Sequence, residues 1–61
     1  MRDRHEIERR IGRLERLVIR TLDRAAEAER LGRDPAVHYR RTTLMMVRIE
    51  ELQELAKATQ G

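Results

Sequence analysis

One short stretch, Leu31-Gly32-Arg33-Asp34-Pro35, interrupts a sequence otherwise patterned for continuous helix, and Pro35 is the only proline in the chain. Gly32 suits the left-handed backbone position that ends a helix, because it has no Cβ to clash there. Asp34 suits an N-cap, where its carboxylate accepts from free helix N–H groups. Pro35 suits the first helical position, where a missing N–H costs nothing. A stop and a start this close predict helices over residues 4–31 and 35–59, joined by a turn at 32–34. Asp3 is placed to cap the first helix, with Glu6 three residues on completing a capping-box-like pair, and Gly61 closes the chain. At a 1.5 Å rise per residue such helices are about 42 and 37 Å long. A link this short folds them back on each other, so the expected fold is all-α, a single domain built as an antiparallel two-helix hairpin.

The apolar spacing agrees. Ile7, Ile11, Leu14, Val18, Thr21, Ala25 and Ala28 alternate by four and three, which is a heptad seam. His38, Thr42, Met45, Ile49, Leu52, Ala56 and Thr59 repeat that spacing in the second helix. Antiparallel folding sets Arg9, Arg10, Arg13 and Arg16 at the level of Glu50, Glu51 and Glu54, and this opposition of sign favours the antiparallel register. Exposed pairs are each worth under ~1 kcal/mol, so they choose orientation more than they stabilise.

The seam leaves apolar side chains over. Leu44, Met45, Met46 and Val47 are consecutive, and at about 100° per residue four such side chains point nearly all the way round a helix. Leu44 and Val47 lie almost opposite Met45 and Ile49, and Met46 and Leu55 also fall outside the seam. On the first helix Leu17, Ile19 and Leu22 lie beside it, at about the height of the Leu44–Ile49 belt. Gly12 and Ala26 fall in one column with Ile19, and a mid-helix glycine costs about 0.8–1.0 kcal/mol against alanine unless another backbone approaches it. Contiguous exposed apolar patches mark interfaces, so Leu17, Ile19, Leu22, Leu44, Met46, Val47 and Leu55 are the candidate partner interface.

Size points the same way. A chain of 61 residues is near the lower limit for folding alone. With no Cys, Trp or Phe and a single Tyr, it has neither disulfides nor bulky aromatics to enlarge its core. Oligomerisation is the remaining device. Two hairpins joined by a two-fold axis give a homodimeric four-helix bundle in which each exposed belt covers the other. Such a dimer resembles, in architecture alone, the small helical-hairpin regulator Rop, with no shared residue motif. The alternative partner is a larger protein whose groove accepts the hairpin.

Catalysis has little to stand on. There is no Ser or Cys nucleophile, and His5 and His38, the non-carboxylate general-base candidates, fall at opposite ends of the hairpin. His5 and Glu8 share a helix face three residues apart, but two ligands are short of a transition-metal site. His38, beside Tyr39 near the turn, reads as packing or capping. Met45 and Met46 read as adaptable filler, and Glu50-Glu51-Leu52-Gln53-Glu54-Leu55 lacks the Glu-x-x-His pattern of a di-iron bundle. The expectation is a non-enzyme with no metal or cofactor.

Nucleic acid is the rival partner. Lys57 is the only lysine among fourteen basic residues, and the formal net charge is +3. Arginine matches phosphate through its planar fork. Arg2, Arg9, Arg13, Arg16 and Arg20 fall opposite the first helix's seam, and Arg30, Arg33, Arg40 and Arg41 surround the turn, so both sets could follow phosphates. Against this, the first twenty residues pair seven arginines with four acidic residues, and Tyr39 is the only stacking aromatic. No helix-turn-helix, finger or basic-zipper spacing is present. No apolar run approaches the ~20 residues of a membrane span, and Arg2 and Arg4 are not followed by a signal-peptide core. The sequence therefore predicts a cytoplasmic, non-catalytic interaction and assembly module, with a small nucleic-acid-binding regulator as the alternative.

Overall fold

Gly32 adopts φ +72°, and the chain reverses there. In the computed structural model, which describes residues 3–59, helix α1 spans Arg4–Arg30 and helix α2 spans Ala36–Ala58. With Gly32 in the left-handed region, its N–H donates to the Glu29 carbonyl at 3.1 Å and the Arg33 N–H donates to the Ala28 carbonyl at 2.7 Å. These two bonds satisfy carbonyls that the end of α1 would otherwise leave free. Arg2 and Gly61 lie outside the described residues.

The helix ends differ from the expected ones by a residue. Leu31 caps α1 rather than extending it, and Thr59 caps α2. Pro35 is the cap of α2 rather than its first residue, because its own carbonyl accepts from Tyr39 N–H at 3.2 Å. The Asp34 carboxylate still does the capping work one position earlier, accepting from Ala36 N–H at 2.9 Å. Asp3 caps α1 as expected, accepting from Glu6 N–H at 2.8 Å. The Glu6 carboxylate lies along the helix, 3.9 Å from Arg10.

α1 and α2 pack against each other as an antiparallel hairpin with Cα extents of 50 × 14 × 14 Å. Every seam residue except Thr59 is buried or half-buried, and outside the seam only Arg10, Gly12 and Pro35 among the described residues are not exposed. Ile7 and Ala25 are fully buried, with Ala28 and Leu52 nearly so. The larger seam residues Leu14, Val18, Met45 and Ile49 are only half-buried, since a second helix covers one side of each. Thr21 and Thr42 sit in the seam near the turn end with their hydroxyls donating to the Leu17 and His38 carbonyls one turn back, at 2.7 and 3.0 Å. A buried hydroxyl without such a partner would cost more than its burial gains.

The expected charge pairing across the helices is not what forms. The ion pairs between described residues run along single helices: Arg4–Glu8 at 2.9 Å, Arg10–Glu6 at 3.9 Å, Arg48–Glu51 and Lys57–Glu54 at 3.4 Å, and Arg30–Glu27. Arg9 and Arg16 are at the right level but on the outer surface of α1, and Glu51 and Glu54 are on that of α2, so sharing a height does not bring them together. Orientation is set by the turn and the seam.

Within the chain no backbone outside its own helix approaches Gly12. A Cβ built there would meet the Arg16 guanidinium at 3.7 Å, an ordinary contact with the end of a flexible side chain. Gly12→Ala is therefore expected to stabilise the protein by about 0.8–1.0 kcal/mol, read as a later urea midpoint at unchanged mass in solution. An earlier midpoint together with a lower mass would mean that another chain's backbone uses the gap.

Candidate interaction surfaces

A helix that buries one stripe presents three other directions: two flanks and an outer face. The seven candidate interface residues are all exposed, from 40 % for Leu55 to 65 % for Leu44. They do not form one face. Leu17 joins Arg10, Arg13 and Leu14 of α1 and Arg48 and Leu52 of α2 around a depression of about 220 Å³. Leu55, seven residues beyond Arg48, belongs to that flank. Ile19 and Met46 lie on the opposite flank, where with Val18 and Ile49 they line a depression of about 380 Å³ that Glu15, Glu50 and Gln53 complete. Leu22, seven residues beyond Glu15, continues that flank. Val47 and Leu44 stand on the outer surface of α2. The single second belt read from the sequence is thus three surfaces, because residues adjacent in sequence are about 100° apart on a helix.

The arginines divide as well. Arg9, Arg13 and Arg16 surround a shallow concavity of about 420 Å³ over Gly12, shared with His5 and Glu8, and Arg20 continues the stripe one turn on. Arg33 instead lines a depression at the turn with Arg24, Leu31, His38 and the acidic Glu27 and Asp34. Arg40, two residues and 200° from the seam residue His38, is on the outer surface of α2, and Arg41 adjoins the buried Thr42 on a flank. The stripe and the turn cluster are two separate surfaces. Three guanidinium groups around His5 and Glu8 also oppose any cation there. Among the described residues no group of three or more metal-ligating side chains forms.

Sequence reasoning singles out neither Arg24 and Arg48 nor Glu15 and Glu50 as surface-forming residues. The signal that finds them is the pair of seven-residue columns bordering the seam, which becomes readable once the seam's register is fixed.

One side-chain bond joins the helices near the turn. The Tyr39 hydroxyl donates to the Glu29 carboxylate. That bond, with some desolvation and the negative charge of Glu29, holds the Tyr39 pKa above the usual tyrosine range. It joins position 29 of α1 to position 39 of α2 on that flank.

Comparison with protein-family models, with curated proteins and with solved structures finds no match to this chain. No helix among the described residues is long and apolar enough to cross a membrane.

Because the raised pKa belongs to the folded state, the stabilisation from the Tyr39–Glu29 bond is complete below the unfolded tyrosine pKa of about 10 and is lost as pH rises through the higher folded value. Tyr39 is the only tyrosine and there is no tryptophan, so an ultraviolet absorbance titration reads this group alone. Its midpoint is expected above that of free tyrosine and to fall back in Glu29→Gln. An unshifted midpoint in the unmodified protein would show that the bond does not persist in solution.

Proposed function

We propose that this chain is a non-catalytic assembly module whose partner is first of all another copy of itself. What carries the reading is the state of the core. Five of its larger seam residues, Ile11, Leu14, Val18, Met45 and Ile49, are only half-covered, while ten large hydrophobic side chains stand exposed, the seven candidate interface residues among them. Burying apolar surface releases about 25 cal/mol per Å², and covering these residues requires atoms from outside the hairpin. A small chain with no disulfide gains most of its missing stability this way. A larger helical protein that accepts the hairpin in a groove would meet the same need.

A second reading, nucleic-acid binding by Arg9, Arg13, Arg16 and Arg20, is favoured by one observation. Among the described residues none of the four has a carboxylate within 4.0 Å, whereas Arg4, Arg10, Arg30 and Arg48 each have one. Unpaired guanidinium groups along one helix could follow a phosphate backbone. Changing all four to Gln is expected to weaken retention on duplex DNA or RNA and to flatten its salt dependence. If the unmodified protein shows no retention even at low salt, this reading falls.

Assembly is tested on the outer surface of α2. Leu44 and Val47 are half or more exposed, so Leu44→Asp/Val47→Asp would change an isolated hairpin by no more than about 0.5 kcal/mol per site. Against a partner, each buried carboxylate would have to be desolvated without a counter-charge, at several kcal/mol. The double variant is expected to lose solution mass and helical circular dichroism together at a concentration where the unmodified protein keeps both, beside a Glu51→Gln/Glu54→Gln control. A variant that keeps its mass and its helicity would show that this outer surface contacts no partner.

A further inference from the structure

The columns on either side of the seam carry opposite charge. On α1, Arg10, Leu17, Arg24 and Leu31 recur every seven residues, and on α2 so do Arg41, Arg48 and Leu55. The two columns border one flank: Arg10 and Leu17 share a depression with Arg48, and Arg24 and Leu31 share the next one with Arg33, His38 and the carboxylates of Glu27 and Asp34. The opposite columns are Glu8, Glu15, Leu22 and Glu29 on α1 and Tyr39, Met46 and Gln53 on α2. Glu15, Met46 and Gln53 line a common depression with Glu50, and Glu29 accepts from Tyr39. Within α1 and α2 neither pair of columns contains a charge of the other sign; at the helix ends Asp3 and Asp34 continue the basic columns.

The chain neutralises this division only in part. Glu6 and Glu51 partly offset Arg10 and Arg48 from within their own helices. Arg24 and Arg41 have no carboxylate within 4.0 Å among the described residues. Both belong to the columns that border the basic flank. Neither of these two arginines forms an ion pair with a described residue, though Glu27 and Asp34 share the Arg24 depression; on the other side Glu15 and Glu50 form none, while Glu8 pairs with Arg4 at 2.9 Å. Each flank has a leucine-, isoleucine- or methionine-lined floor. A flank of a body with extents of 50 × 14 Å is also comparable in size to the ~800 Å² per partner that a standard interface buries.

We propose that the two flanks are the two halves of one head-to-tail interface, with the basic flank of one copy of this chain seated on the acidic flank of the next. This rests on the self-association reading and adds its symmetry. A two-fold axis would set like flanks together, placing Arg24, Arg41 and Arg48 near their own copies, and like charges juxtaposed across an interface oppose association. Unlike flanks use different patches on the two copies, and such contacts close into rings of three or more subunits or extend as open arrays.

The experiment is a charge exchange read by light scattering and circular dichroism at one concentration. The unmodified protein is expected as a trimer or larger. Arg41→Glu/Arg48→Glu makes both flanks acidic, and Glu15→Arg/Glu50→Arg makes both basic. Each alone is expected to fall toward the 7.3 kDa monomer and lose helicity. Mixed in equal amounts they again offer unlike flanks, and both mass and helicity are expected to return, which also shows that neither variant is merely misfolded. A monodisperse dimer of the unmodified protein would overturn the head-to-tail arrangement and leave self-association standing. So would an assembly whose mass survives either exchange, or a mixture that stays monomeric. An unmodified monomer overturns both readings.

Discussion

Two helices share one interface, and each of them has more apolar surface than that interface can cover. This constraint organises the molecule. The seam holds Ile7, Ala25 and Leu52 out of water, yet Leu14, Val18, Met45 and Ile49 keep part of their surface exposed. No rearrangement of a hairpin alone removes the deficit, because rotating either helix to bury Leu44 or Val47 would expose Met45 and Ile49. Small seam residues on α1 near the turn, Thr21, Ala25 and Ala28, leave little bulk between the helices there, which further limits what the core can bury.

The architecture was legible because its signals are local. Gly32 announces the left-handed turn through the absence of a Cβ. Asp3 and Asp34 announce caps by carboxylates close in sequence to the N–H groups they accept from. The seam announces itself by spacing, and α2 begins one residue later than expected because Pro35 contributes its carbonyl to the first helical bond. Charge across the helices was not legible in the same way. Reading Arg10 against Glu50 uses height alone, whereas contact also requires the right angle around each axis. Arg10 faces the flank where α2 presents Arg48, and Glu50 belongs to the other. The apolar surplus was visible in the consecutive Leu44-Met45-Met46-Val47, but its division among two flanks and an outer surface follows only from the register.

Apolar surface and charge do different work in the proposed assembly. Leucine, isoleucine and methionine floors on both flanks are interchangeable as far as the hydrophobic effect is concerned, since burial is non-directional. A chain with apolar surplus on several sides would associate in several ways at once. Opposite charge in the bordering columns separates those ways, at a modest gain per pair and a larger penalty for the wrong pairing. The lopsided composition of the flanks then has a reason that intrachain stability does not supply. A hairpin optimised to stand alone would interleave Arg and Glu across its own seam; here Arg24, Arg41, Glu15 and Glu50 form no ion pair with a described residue, and in the proposed assembly a neighbour supplies it.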